Sequence, residues 1–124
     1  MHWGAGDCNG KMWGFGKTNG KLSIWGGCQD WETDLVIPQN EWVFIAMAYD
    51  GQSITAWVND LKDAQTLIGP FQTTSSDFFI GAETVDNGLT FRHYFKGKID
   101  EVSIWDNALN DDEINKIYLD KSNN

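Results

Sequence analysis

The chain has 124 residues, 18 Asp and Glu against 9 Lys and Arg, and a formal net charge of −9, a length that suits one small domain over residues 1–124. Membrane insertion is excluded because no run of about 18 apolar residues exists, and the first ten residues lack the basic start and apolar core of a signal peptide. Nucleic-acid binding is excluded because the few cations are dispersed along an acidic chain, while 41% hydrophobic and 14% aromatic residues, seven of them Trp, are enough for a packed core.

Turn signals at Asn19-Gly20, Asp50-Gly51, Asn59-Asp60, Gly69-Pro70 and Asp86-Asn87-Gly88 separate short stretches rich in Trp, Phe, Ile, Val and Thr. This is the punctuation of an all-β chain. The first hairpin, Gly10 to Gly26, turns at Asn19-Gly20. As a two-residue turn it places Trp13, Phe15, Leu22 and Ile24 on one face and Met12, Lys21, Ser23 and Trp25 on the other; a three-residue turn with a bulge would shift the pairing by one and exchange these partners. Cys8 and Cys28 bracket the hairpin. They either close it as a disulfide or sit as two separately buried thiols, and a bridge would place the protein outside the reducing cytosol. Two cysteines without Cys-x-x-Cys or His-x-x-x-His spacing do not make a structural zinc site.

The segment from Glu41 to Asn59 reads as a second hairpin. With Asp50-Gly51 as a two-residue turn, Tyr49 faces Gln52 and Phe44 faces Trp57. One face is then aliphatic: Val43, Ile45, Met47, Ile54, Ala56 and Val58, suited to the space between two sheets. The other carries Trp42, Phe44, Ala46, Ala48, Ser53, Thr55 and Trp57, and is either covered by a further layer or partly open. Near the C-terminus, Leu109-Asn110-Asp111-Asp112-Glu113-Ile114 combines an Asn N-cap, a Glu three residues on and a flanking apolar pair. That is a capping box with a hydrophobic staple. It opens a short helix of about two to three turns whose Ile114, Ile117 and Tyr118 share one face.

The run Phe95-Lys96-Gly97-Lys98-Ile99-Asp100-Glu101-Val102-Ser103-Ile104-Trp105-Asp106-Asn107-Ala108-Leu109, followed by Asp112-Glu113-Ile114 and Ile117-Tyr118, closely resembles the closing strand and helix of laminin G-like and pentraxin domains. Glu41-Trp42-Val43-Phe44-Ile45-Ala46 with Ala56-Trp57-Val58-Asn59 is similar to their central hairpin. The resemblance covers most of residues 40 to 119. It implies a concanavalin A-like jelly roll, two antiparallel sheets face to face with one short C-terminal helix, here lacking the usual N-terminal strands. An edge left open in this way can pair with another chain, including a second copy.

Relatives of this kind are often lectins or adhesion modules, and many hold calcium between loops at one rim. The resemblance implies calcium ligands at Asp7 and Asn9, just before the first hairpin, and at Glu83 and Asp86, after Phe78-Phe79-Ile80-Gly81. Sugar recognition needs a ring that stacks on a pyranose and short polar groups for the hydroxyls. Trp31, in a polar loop segment, and Trp25, on a polar face, are the platform candidates. Asn87 and His93, beside the proposed calcium loop, are their polar partners, with a structural His as the other reading of His93. Trp42, Trp57 and Trp105 lie in strands and read as packing residues.

Catalysis is not expected. Asp100 and Glu101 are adjacent, so in a strand they point to opposite faces. Glu32 and Asp34 alternate correctly but lack partner chemistry for a glycosidase pair. The expectation is a non-catalytic carbohydrate-binding module, extracellular or at the cell surface, whose partner is a glycan or glycoconjugate; the alternative is an interaction or architectural module completed by a partner chain.

Overall fold

A computed structural model describes residues 1–3, 13–26, 29–66, 77–84, 86 and 88–122. Its strands, in chain order, are β1 (His2–Trp3), β2 (Trp13–Thr18), β3 (Lys21–Gly26), β4 (Trp31–Val36), β5 (Ile45–Tyr49), β6 (Ser53–Val58), β7 (Leu61–Thr66) and β8 (Phe78–Phe79), followed by the helix α1 (Asp111–Ser122). They form a five-stranded sheet in the order β4-β3-β2-β1-β8 and a three-stranded sheet in the order β5-β6-β7. All pairings are antiparallel, as the sandwich reading requires. None of the helices among the described residues is long and apolar enough to cross a membrane.

The first hairpin forms in the expected register. Asn19 and Gly20 both take positive φ, 51° and 85°, the pair of left-handed positions that a type I′ turn needs. Thr18 therefore faces Lys21, and Phe15 faces Ile24. Phe15, Leu22 and Ile24 turn inward together, while Ser23 and Trp25 lie on the opposite face of the sheet. Trp31 is the first residue of a strand rather than part of a polar loop. The period-two alternation of Trp31, Thr33 and Leu35 inward against Glu32, Asp34 and Val36 outward explains why the segment extends.

A bulge interrupts the β3–β4 pairing. Lys21 pairs with Val36 and Ser23 with Glu32, so Leu22 alone opposes Thr33, Asp34 and Leu35. Thr33, fully buried, supplies the missing bonds. Its hydroxyl donates to the Leu22 carbonyl at 2.8 Å and accepts the Leu35 N–H at 3.0 Å.

The second hairpin differs from expectation in its loop. Tyr49 faces Ile54 and Ala46 faces Trp57, because four residues, 50–53, separate the last β5–β6 pair, although Ser53 already pairs with Thr66 of β7. The cause is Asp50, whose Oδ1 accepts the N–H groups of Gln52 and Ser53 at 2.8 and 2.7 Å. Since the shift is by two residues, the faces are unchanged. Ile54, Ala56 and Val58 join Leu22, Ile24 and Leu35 in the core, with Phe15, Trp31, Ile37, Val43, Ile45, Met47 and Tyr49 packed around them. Asn59 takes φ 54° and ties down the chain before β5, its Oδ1 accepting the Phe44 N–H at 3.0 Å.

The aromatic face of the second hairpin is covered by α1: the rings of Phe44 and Tyr118 lie 5.6 Å apart, and Lys62 of β7 pairs with Asp111. The capping box forms in full. Asn110 Oδ1 accepts the Glu113 N–H at 3.0 Å and Glu113 Oε2 accepts the Asn110 N–H at 2.8 Å. Ile114 is buried beneath the first turn.

The closing strand that the resemblance implies over Phe95–Trp105 is not a strand. Among the described residues, 94–108 find no ladder partner, and they are exposed. Of the three tryptophans expected in the core, Trp57 is buried, but Trp42 and Trp105 are 66% and 48% exposed. Trp42 precedes the first paired residue of β5, and Trp105 lies in the unpaired run.

Candidate functional site

The outer face of the five-stranded sheet carries the arrangement most suited to a ligand. Its first cross-strand row is Phe79, His2, Gly14 and Trp25. The next row contains Gly16, Ser23 and Glu32, and Asp30 lies just before β4, one residue from Trp31. Trp25 sits on this face because Gly16 makes room for it. A Cβ added at Gly16 would lie 3.0 Å from Trp25 Cη2 and 3.1 Å from Cζ3. Glycine inside a strand marks such a close approach.

Between Trp25 and Thr18, where the small side chain of Ser23 leaves space, a hollow of about 290 Å³ opens, lined by Thr18, Ser23, Trp25, Asp30, Trp31 and Glu32 with an edge of Ile24. Trp31 is shared between this hollow and the core cluster, whereas Trp25 stands half-buried on the sheet surface. Ser23 is 3% exposed, and its hydroxyl has no hydrogen-bond partner among the described residues. Such groups in native structures are otherwise almost always paired.

The electrostatics of the hollow are negative. Asp30 and Glu32 line it, and Glu32 Oε2 accepts from Asn19 Nδ2 at 3.2 Å. The nearest lysine on the same strand face, Lys21, is turned to Asp34 at 2.9 Å. The bond to Asp34, and then the charges of Asp34, Glu32 and Asp63, raise the Lys21 ammonium above its ordinary range. Lys17 donates to the Ile37 carbonyl at 3.0 Å.

A larger hollow of about 580 Å³ lies between the outer face of β5–β6 and the start of α1, lined among others by Asp50, Thr55, Trp57, Asn110 and Asp111. Three of its polar side chains already have work within the fold. Asp50 closes its turn, Asn110 caps the helix and Asp111 pairs with Lys62. Trp57 is only 3% exposed there and offers no ring face.

The loop after β8 brings Glu83 and His93 together, as their placement in the sequence suggests, through an isolated bridge between Glu83 and Arg92. Glu83 Oε1 accepts from Arg92 Nη2 at 2.9 Å, and Oε2 contacts His93 Nδ1. Burial alone would raise the Glu83 carboxyl, but the bonds and charges of Arg92 and His93 outweigh it and hold the group below its ordinary range. Asp86 Oδ1 accepts from the Thr84 hydroxyl and the Thr90 N–H, both at 2.8 Å. Bonds to Thr90, then to Thr84, lower its carboxyl. In this arrangement both oxygens of Glu83 are already engaged, one by Arg92 and one by His93. Among the described residues no three of His, Cys, Asp and Glu gather as a metal group.

Asp7, Asn9, Asn87, Cys8 and Cys28 lie outside the described residues. Of the proposed sugar residues, Trp25 and Trp31 meet at one hollow, while His93 is held by Glu83 on the β8 side of the sheet. Thr18, Ser23, Asp30 and Glu32 were not singled out as ligand residues in the sequence; the two glycines of Trp13-Gly14-Phe15-Gly16 are the signal that points to them. Asp100 and Glu101 sit in the exposed run, where Glu101 pairs with Lys121 at 2.6 Å. Asp34 is taken by Lys21, which leaves Glu32 as the only one of that alternating pair at the hollow.

Comparison with known families matches residues 4–115 to the concanavalin A-like lectin/glucanases superfamily. Among solved structures, the crystal structure of an S-layer domain-containing protein from Clostridium thermocellum is similar, with a TM-score of 0.58 at 20% identity over 94% of this chain. The chain spans 59% of the length of that structure. Comparison with curated proteins finds no match.

Proposed function

Because the chain belongs to the concanavalin A-like lectin/glucanase superfamily, we propose that it is a non-catalytic carbohydrate-binding module whose site is the Trp25 hollow. The observation that carries this reading is the joint placement of the half-buried Trp25 ring and the unpartnered, buried Ser23 hydroxyl on one depression. The ring supplies a face for the C–H side of a pyranose, and Ser23, Thr18, Asp30 and Glu32 supply acceptors and donors for its hydroxyls. The hollow holds one or two sugar rings, the size of shallow recognition rather than of an enclosed catalytic cleft.

The similarity to an S-layer domain-containing protein supports a setting outside the cell or at its surface, where a glycan or glycoconjugate would be the partner and adhesion the consequence. A calcium-assisted form of the reading rests on Asp7, Asn9 and Asp86; Glu83 would first have to release Arg92 and His93. A panel of oligosaccharides tested against the protein and its Trp25→Ala variant checks the proposal: binding that depends on Trp25 supports it, and an absence of binding across the panel contradicts it.

A second reading is favoured by a different observation. Tyr94, Phe95, Ile104 and Trp105 are all exposed, between 48% and 70%, and belong to the run without a ladder partner among the described residues. A partner chain, or a second copy pairing at an open sheet edge, would cover them. Mass that rises with concentration, together with no glycan binding, is the result this alternative expects.

A further inference from the structure

We infer that the Trp25 hollow selects sugars carrying a free, protonated amine over neutral or N-acetylated ones. This inference rests on the carbohydrate reading of the same hollow and narrows it to a ligand class.

The first ground is charge. Asp30 and Glu32 both line the hollow, and the cations near it are committed elsewhere: Lys21 to Asp34 and Lys17 to the Ile37 carbonyl. Glu32 receives a neutral amide from Asn19, and the Lys21 ammonium, bonded to Asp34, offsets only part of its charge. With a net charge of −9 on the whole chain, the surrounding field has the same sign. An ammonium group entering the hollow meets two carboxylates, whereas a carboxylated or sulfated sugar is repelled.

The second ground is the indole. A cation near the face of Trp is attracted by the ring quadrupole, and Trp is the best of the aromatic side chains for this contact. Trp25 and Asp30 both line the hollow, so one ligand amine can lie between an aromatic face and a carboxylate. A neutral hydroxyl gains neither interaction in full. An N-acetyl group removes the charge and adds a methyl beside two carboxylates.

The third ground is Ser23. The residue lines the same hollow, and its hydroxyl has no partner among the described residues and almost no accessible surface, so a ligand reaches it as the side chains over it give way. A ligand hydroxyl or amine next to the stacked ring would satisfy it, and an unsatisfied buried group of this kind gives a site strong discrimination between ligands that reach it and ligands that do not.

The test is calorimetric titration at pH 6, where a sugar amine is protonated, with three hexasaccharides of the same β-1,4 linkage: chitosan hexaose, chitin hexaose and cellohexaose. Chitosan hexaose is expected to bind at least about tenfold more tightly than the other two. In Asp30→Asn/Glu32→Gln that preference is expected to vanish, leaving weak binding common to all three. Equal affinities for the three sugars in the unaltered protein would overturn the selectivity and leave the carbohydrate site standing. Failure of all three to bind, with failure across a wider glycan panel, would overturn both. Chitosan binding that persists undiminished in Trp25→Ala, or is matched by spermine, would show attraction to an acidic chain in general and would also overturn the inference.

Discussion

The six-membered ring of Trp25 occupies the space where a side chain on Gly16 would begin, 3.0 Å from the position of a Cβ. Gly14, two residues earlier on the same face, is closed off differently: a Cβ there would come within 2.5 Å of the Met1 carbonyl oxygen. The two glycines therefore predict different failures. In Gly16→Ala the ring has to move by a few tenths of an ångström, so glycan affinity should fall while stability changes little. In Gly14→Ala backbone must move, and overpacking of that kind costs about 1–3 kcal/mol. Thermal unfolding and glycan titration of the two variants separate these outcomes.

The bulge between β3 and β4 depends on one hydroxyl. Thr33→Val keeps the shape and removes the group that bonds both the Leu22 carbonyl and the Leu35 N–H. Two buried backbone groups then lack a partner, and the loss should be about 1–3 kcal/mol in denaturant unfolding. Thr33→Ser restores the hydroxyl and should recover most of that stability.

Helix α1 is held at its start by the reciprocal bonds of Asn110 and Glu113. Replacing Asn110 with Ala should cost about 1 kcal/mol, which lowers the thermal midpoint by about 4 °C for a chain of this size. Asn110→Ser should behave almost as the unaltered protein. Calorimetry of the two variants reads the difference directly.

Acid should destabilise the fold in two steps. Burial lowers His2 below its ordinary value of 6.5, and its two ring nitrogens have no partner among the described residues. The folded state therefore binds fewer protons than the unfolded one below pH 6.5, and stability present above that pH is lost as pH falls through the folded value. Glu83 is also depressed, from 4.5. Its contribution is present above pH 4.5 and is lost in turn as pH falls below it. The midpoint measured from pH 7.5 to 3.5 should show both declines, and His2→Gln should remove the first without the second.

What the sequence made legible was whatever depends on neighbours close along the chain. Asn19-Gly20 needs only two left-handed residues to fix a register, and the capping box needs only Asn110 and Glu113. The faces of the second hairpin were equally legible, but its loop was not. Asp50 could close a turn with Gln52 and Ser53 as readily as start a two-residue one, and only the structure shows which. The run Phe95–Trp105 has the composition of a strand, yet strand formation requires a neighbour to supply the ladder, and composition does not record whether one is present. The hollow was half legible. Trp25 and Ser23 followed from alternation along one strand, but Asp30 and Glu32 join them only through the bulged pairing with β4.

The central claim is that a sugar stacks on Trp25 in the hollow of the five-stranded sheet. Its most direct test is calorimetric titration of the protein, Trp25→Ala and Trp105→Ala with chitosan hexaose and cellohexaose, alongside thermal midpoints for all three proteins. The account predicts that Trp25→Ala weakens binding by about tenfold or more, the loss of about 1.4 kcal/mol, with a midpoint close to that of the unaltered protein. It also predicts that Trp105→Ala, which removes an exposed Trp outside the hollow, binds as before. Equal binding by the protein and Trp25→Ala, or a loss confined to Trp105→Ala, would contradict the claim.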